Sequence, residues 1–303
     1  MVGVAMSEPL LRAELLRQLE QFQLLARRRA KSSAKGERQS RSRGQSVEFA
    51  DYRNYTPGDD FRYLDWNLYG RLDRLFLKLY EEERELPVRI FLDASESMTF
   101  GQPRKFDFAR QVAAAIGYVA LSGFDRVSVL PFPDNPAELP VRNALRSVRG
   151  KRSAMGFFQH LHQLSASGSA DLNEVLRRGA MEARQTGLAV VLSDFLDPAG
   201  YEGGLAALVA RGFQVDAVQI LAPEELEPQT YGDLRLVDAE SGAMQEVTFG
   251  RFRVEAYQQT VRNFCQRLLE FCQARGIAFF TTSSGASLSE LLLQRLRESE
   301  VWG

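Results

Sequence analysis

The chain has 303 residues, 45% of them hydrophobic and 25% charged, with a formal net charge of -1 and only two cysteines and two histidines. That balance suits a globular protein, with enough chain for one large α/β domain or two small ones, and it excludes a surface dominated by one sign of charge. No apolar run is long enough to span a bilayer, and Met1 to Gln18 lacks the basic-then-apolar pattern of a signal peptide, so the expected location is the cytoplasm.

Residues 8 to 29 read as a helix, with Leu11, Leu15, Leu16, Leu19, Phe22 and Leu25 at helical spacing. The stretch from 27 to 43 then changes character. Arg27, Arg28, Arg29, Lys31, Lys35, Arg38, Arg41 and Arg43 stand among Ser, Gly and Gln, with Glu37 opposing them. It reads as a solvated basic linker; a nucleic-acid or lipid contact is the rarer use of such a run. Residues 47 to 86 are mixed. Arg74 to Tyr80 alternates basic and apolar side chains as a half-buried strand does, and Pro57-Gly58 marks a turn before it. Around that turn Asp59, Asp60, Arg62 and Asp65 crowd beside Trp66. This is either a salt-bridged turn anchored by aromatic residues or an exposed recognition surface, and spacing does not separate the two.

From residue 88 the pattern becomes regular. Strands are expected at 88–92, 126–132, 188–192, 214–221 and 277–281, with a short extra one at 139–142. Helices are expected at 105–121, 153–164, 171–186, 200–211, 253–275 and 287–299. Two short segments, 234–237 and 244–249, flank Glu240-Ser-Gly242 and suggest a hairpin. Strands alternating with helices imply a doubly wound, mostly parallel sheet covered on both faces. In such sheets ligands bind beyond the carboxyl ends of the strands, where the strand order reverses. The expected division is an N-terminal helix and linker over 1–46, an extension over 47–87 packed on the core, and the α/β domain over 88–303.

The chemistry-bearing residues fall at those strand ends. The strand at 88–92 runs into Asp93-Ala-Ser95-Glu-Ser97-Met98, where three oxygen-bearing side chains alternate. Carboxylate and hydroxyl oxygens suit a hard cation such as Mg²⁺, Mn²⁺ or Ca²⁺, although serines in a turn also serve simply to satisfy its backbone. The strand at 188–192 ends in Ser193-Asp194-Phe195 and brings a second carboxylate to the same edge. If the two strands are neighbours, Asp93 and Asp194 converge and repel each other unless a cation lies between them. The structural alternative for Asp194 is a helix cap. His160 and His162 point to different sides of a helix, which makes a histidine zinc site or a Ser-His-Asp triad hard to assemble. Cys265 and Cys272 share a helix face and read as buried free thiols.

Asp93-x-Ser95-x-Ser97 with Ser193-Asp194 resembles the metal-ion-dependent adhesion site of von Willebrand factor A domains. More specifically, the chain resembles the bacterial family called "domain of unknown function 58". The motifs are Arg43-Gly44, Glu48-Phe49, then Arg53-x-Tyr55-x-x-Gly58-Asp59-Asp60-x-Arg62-x-x-Asp65-Trp66, Tyr80-Glu81 and Asp93-x-Ser95-x-Ser97-Met98. The resemblance implies a sheet of strand order 3-2-1-4-5-6 and a Mg²⁺-type ion held directly by Ser95 and Ser97, with Asp93 and Asp194 acting largely through water. It implies that an acidic side chain of a protein partner fills the last coordination position, and that a MoxR-type AAA+ ATPase acts alongside. The chain departs from the pattern at one point. In Gly168-Ser169-Ala170-Asp171-Leu172, Ala170 stands where a threonine ligand is usual, and Ser169 is the candidate substitute.

These readings make the chain a non-enzymatic partner-binding protein with a metal site. The alternatives are a metal-free scaffold with a degenerate site, and a metal-dependent hydrolase or phosphatase. Against the last stand the serine at position 95, where an Asp-x-Asp nucleophile motif has its second aspartate, and the lack of a phosphate-cradling Gly-x-x-x-x-Gly-Lys loop.

Overall fold

The computed structural model describes residues 9–20, 47–82, 85–133, 144–169, 171–228, 232–237, 244–289 and 291. The basic segment 27–43, the expected strand at 139–142, Ala170 and nearly all of the expected last helix lie outside the described residues. The chain forms two compact units: residues 1–27 with 86–303, and residues 28–85.

Helix α1, Ala13–Leu19, belongs to the larger unit. Leu11, Leu15 and Leu19 are buried in its core, and Glu20 just beyond accepts hydrogen bonds from Tyr118 Oη at 2.6 Å and Lys151 Nζ at 2.8 Å.

The smaller unit is an antiparallel ribbon. Strand β1, Val47–Asn54, and strand β2, Phe76–Glu82, pair from Val47↔Glu82 to Asn54↔Phe76, with a bulge between Phe49 and Asp51. Between them lie a single 3-10 turn, Phe61–Tyr63, and helix α2, Trp66–Leu72. Two acidic side chains set these starts. Asp60 accepts from Arg62 N, and Asp65 accepts from Asn67 N and Leu68 N, the usual way of satisfying orphan amides at a helix entry. Leu64 and Leu77 pair across the ribbon and are buried. The strand expected at 74–80 is therefore present, two residues later.

The larger unit carries, in chain order, β3 Pro87–Asp93, α3 Lys105–Ser122, β4 Arg126–Phe132, β5 Leu145–Arg149, α4 Ala154–Gln163, α5 Leu172–Glu182, β6 Leu188–Ser193, α6 Glu202–Arg211 and β7 Gln214–Leu221. Next come α7 Pro223–Leu226, β8 Gly232–Val237, β9 Met244–Phe249, α8 Arg251–Gln273 and β10 Ala278–Ser283. Six strands form one sheet in the order β10-β7-β6-β3-β4-β5, all parallel except β5, which runs antiparallel at the edge. Counting along the chain from β3, this is the order 3-2-1-4-5-6. The fold is a doubly wound α/β sheet. The expected hairpin is β8 paired with β9 from Gly232↔Phe249 to Val237↔Met244.

Each strand feeds two cores because side chains alternate across the sheet. Val88, Ile90 and Leu92 of β3 join α1, α3 and α4 on one face, while Phe91 joins α5, α6 and α8 on the other. Strand β6 is buried at all six positions, as a parallel strand covered on both faces must be. Glycines let the helices lie close. A Cβ on Gly179 of α5 would sit 2.4 Å from the Phe91 ring, and one on Gly117 of α3 would sit 2.2 Å from Phe157. Cys265 and Cys272 are free thiols on α8. Cys272 is buried, which pushes its thiol up to about 12, whereas Cys265 is half-buried. Among the described residues, no helix is long and apolar enough to cross a membrane.

Candidate functional site

Strand β3 lies between β4 and β6, so chain crossovers leave in opposite directions from its two sides. This is the point of strand-order reversal where α/β sheets bind ligands. Asp93 ends β3 there, and Ser193 and Asp194 end the neighbouring β6.

Asp93 is buried, and both of its oxygens are engaged. Oδ1 accepts from Ser95 N at 3.0 Å and Ser95 Oγ at 2.7 Å, and Oδ2 accepts from Ser193 Oγ at 2.5 Å. Ser95 Oγ and Ser97 Oγ are 2.9 Å apart. Burial first, and the Asp194 charge second, push the Asp93 carboxyl up to about 7, while the bonds from Ser193 and Ser95 pull the other way. The turn that carries these groups is braced on two sides. Ala94 N donates to Phe132 O at 2.5 Å on β4, and the loop before α5 is laced to it by Glu96 N to Gly168 O and Ser167 N to Ala94 O, both 2.8 Å.

Asp194 takes a different partner from the one its position suggests. Its Oδ2 accepts from Lys105 Nζ at 2.7 Å, and its Oδ1 accepts from Leu196 N at 3.0 Å. The carboxylate thus closes a local turn, well before α6, and is paired with a cation from the chain itself. Lys105 is the first residue of α3 and also reaches Glu225 Oε1 of α7 at 2.7 Å. Burial works against the ammonium, but Asp194 and Glu225 together raise its pKa and keep it charged. Glu225 itself is pushed upward by burial, more strongly than Lys105 pulls it down. Its other oxygen accepts from Ala222 N at 2.7 Å.

The backbone beyond Asp194 is bent. Phe195 has φ 60, a left-handed conformation that costs a non-glycine residue on the order of 1–2 kcal/mol. Burial of its ring against Tyr201, edge to face at 6.2 Å, offsets that. Below it the carbonyl of Asp194 accepts from Gln219 Nε2 at 3.1 Å, and Gln219 Oε1 accepts from Thr281 Oγ1 at 2.9 Å. The floor of the site is thereby tied across β6, β7 and β10. Ser97 is half-buried at the mouth, and Phe100 and Leu196 are exposed on the turns that follow Ser97 and Asp194.

The donor set bears directly on whether a hard cation fits. In an octahedron with metal–oxygen distances of about 2.1 Å, adjacent oxygens lie about 3 Å apart. The 2.9 Å separation of the two serine hydroxyls matches such an edge, with the Asp93 carboxylate directly behind Ser95. The same separation is that of the hydrogen bond the two hydroxyls share, so the chemistry of the donor set, two hydroxyls backed by the Asp93 carboxylate, is what suits a Mg²⁺-type ion. Asp194 fits less simply, because its charge is already balanced by Lys105. Ser169 is exposed, one residue beyond the braced Gly168, and Asp171 caps α5 by accepting from Glu174 N. Among the described residues, no group of three or more His, Cys, Asp or Glu is placed to hold a metal ion.

The second set of sequence candidates lies in the smaller unit. Asp59 pairs with Arg53 at 2.9 Å, and Asp60 with Arg62. Asp65 is buried and accepts from Tyr52 Oη at 3.0 Å besides capping α2. All four charged residues thus have internal partners, while Phe61 and Trp66 on the same stretch are 60% and 62% exposed.

The residues that sequence reasoning missed here are Lys105, Glu225 and Gln219. One signal was available for the first: a lysine opening a helix stands at the positive end of its dipole and needs a reason to be there.

The model of the family described as "Protein of unknown function DUF58" matches residues 51–265. An uncharacterized protein of Mycobacterium bovis is 31% identical over 205 residues, covering 67% of this chain and 64% of that protein, so the chain spans less than two thirds of that relative. Among solved structures, the conserved hypothetical protein BatB from Bacteroides thetaiotaomicron is similar at 15% identity with a TM-score of 0.42, over 70% of this chain and 98% of that one. A von Willebrand factor type A protein from Catenulispora acidiphila is similar at 19% identity with a TM-score of 0.35, over 48% and 35%.

Proposed function

The chain belongs to the DUF58 family of proteins of unknown function, and on that premise we propose that it is a partner-binding protein whose contact point is a divalent-metal site at Ser95 and Ser97. The supporting observation is the pair of hydroxyls 2.9 Å apart above the buried Asp93, at the carboxyl edge where the strand order reverses. Ser95 and Ser97 would hold the ion directly, and Asp93, with Asp194 more distantly, would supply the balancing charge. Bound there, Mg²⁺, Mn²⁺ or Ca²⁺ would attract an acidic side chain of the partner. Part of the proposal rests on the family resemblance alone: a MoxR-type AAA+ ATPase acting with this protein in assembly or maturation of a target, in the cytoplasm.

Binding is favoured over hydrolysis by how the carboxylates are engaged. Both oxygens of Asp93 accept hydrogen bonds, and Asp194 is held by Lys105, so neither is poised as a nucleophile or base. A second reading, a metal-free scaffold, draws support from the same Lys105–Asp194 pair, which balances Asp194 internally.

The test uses the whole chain as bait in extract of its native host, with Mg²⁺ and with chelator, beside Asp93→Ala and Ser97→Ala. The expected outcome is a partner recovered by the wild type in Mg²⁺ and lost with chelator and in both variants, together with a Mg²⁺ isotherm by calorimetry that Asp93→Ala abolishes. Equal recovery under all conditions sinks the metal-dependent reading. Partner recovery that chelator does not reduce, without any Mg²⁺ isotherm at millimolar ion, selects the scaffold.

A further inference from the structure

Lys105 is out of place on every simple count. Its side chain is 1% exposed, although lysine is almost never fully buried unless paired. It opens α3, where the helix dipole disfavours a cation. Its ammonium lies 2.7 Å from Asp194 Oδ2 and 2.7 Å from Glu225 Oε1, and 6.0 Å from the centre of the Phe100 ring. Three elements, α3, the end of β6 and α7, therefore meet at one nitrogen.

Asp93, which bonds Ser95, feels the charge of Asp194, and Lys105 is the cation paired with Asp194 and Glu225. The oxygens of Asp93 are bonded instead to Ser95 and Ser193, and among the described residues no ion pair reaches Asp93. A dication at Ser95 and Ser97 would relieve the same repulsion between Asp93 and Asp194 that Lys105 already relieves at Asp194.

We propose that Lys105 is a resident cation at Asp194: it keeps the site assembled without metal, and by opposing a second positive charge it holds the affinity for a divalent ion low. This rests on the metal reading of Ser95 and Ser97 above and adds the residue that sets its strength. A weak site of this kind is filled when ion and acidic partner arrive together, because the partner's carboxylate supplies the charge that Lys105 withholds.

The experiment compares the full chain with Lys105→Met, Asp194→Asn and the double variant, in chelator and in millimolar Mg²⁺, by thermal unfolding and by calorimetric titration with Mg²⁺ alone. Lys105→Met should bind Mg²⁺ at least about tenfold more tightly than the wild type, because a unit charge facing the dication has gone. In chelator it should be the least stable of the four, with the double variant regaining part of the loss. Mg²⁺ should raise the melting temperature of Lys105→Met more than that of the wild type. Binding no tighter than wild type in a folded Lys105→Met overturns the proposal. If Lys105→Met does not fold in chelator, failure of Mg²⁺ to restore it, or a double variant no more stable, overturns it equally. Tight binding by Lys105→Met beside none by the wild type alone sustains the inference and leaves the native chain to take its ion only with the partner, whereas no binding by either removes the metal reading. Wild-type binding that Lys105→Met does not tighten keeps the metal reading and overturns the inference.

Discussion

Ser193→Ala isolates one atom that ties the end of β6 to β3 and to its own following turn. Ser193 Oγ donates to Asp93 Oδ2 at 2.5 Å and accepts from Phe195 N at 2.9 Å, all within the buried part of the site. Losing the donor to a buried carboxylate costs about 1.5–3 kcal/mol and stranding a buried amide about 1–3 kcal/mol, so with partial relaxation the net loss should be about 2–4 kcal/mol. At roughly 2–4 °C per kcal/mol for a domain of this size, the melting temperature should fall by roughly 4–16 °C. The pH dependence adds a sharper check. The folded chain holds the Asp93 proton up to about 7, and the unfolded chain releases it near 3.8. The contribution of this carboxyl to stability therefore declines as pH rises through that window. The Ser193 bond favours the ionised form, so its removal should cost more at about pH 8 than at about pH 5.5. Urea unfolding followed by far-UV circular dichroism at both pH values measures this. A loss below about 0.5 kcal/mol that is the same at both would refute the assigned role of the bond, since even an ordinary hydrogen bond is worth that much.

Gly179→Ala places a Cβ 2.4 Å from the Phe91 ring, which is fully buried directly beneath Asp93. It should destabilise the larger unit by about 1–3 kcal/mol in chemical unfolding, the usual cost of overpacking. Asp65→Ala removes the cap of α2 and the acceptor for Tyr52 Oη. It should speed amide exchange at Asn67 and Leu68 and cost about 1–2 kcal/mol locally, with Asp65→Asn, which keeps the cap acceptor, losing less than half of that.

Much of this architecture is legible in the chain because its periodicities are strong. The strands at Arg126–Phe132 and Gln214–Leu221 fall where apolar runs predict them, and Asp93, Ser95 and Ser97 stand out as alternating oxygen-bearing side chains at a strand end. Strand β5 was not legible: Leu145 and Val148 are its only apolar side chains, as suits an antiparallel edge that is largely exposed. β1 was hidden because Glu48, Asp51 and Arg53 interrupt the apolar residues of Val47–Asn54. The electrostatics of the site escaped for a topological reason. Lys105 lies 89 residues from Asp194 and 120 from Glu225, and only the crossovers of the sheet bring the three together. The repulsion expected between Asp93 and Asp194 was sound physics, but it called for a cation without saying that the chain carries its own.

The amide of Gln219 links the carbonyl of Asp194 to the hydroxyl of Thr281, on the last strand of the sheet. During synthesis from the N-terminus, Asp93, Ser95, Ser97 and Asp194 are all in place some eighty residues before that strand exists. Their supporting floor closes only when Ala278–Ser283 has docked beside β7. A nascent or truncated chain thus carries these residues without their finished geometry, which belongs to the completed domain.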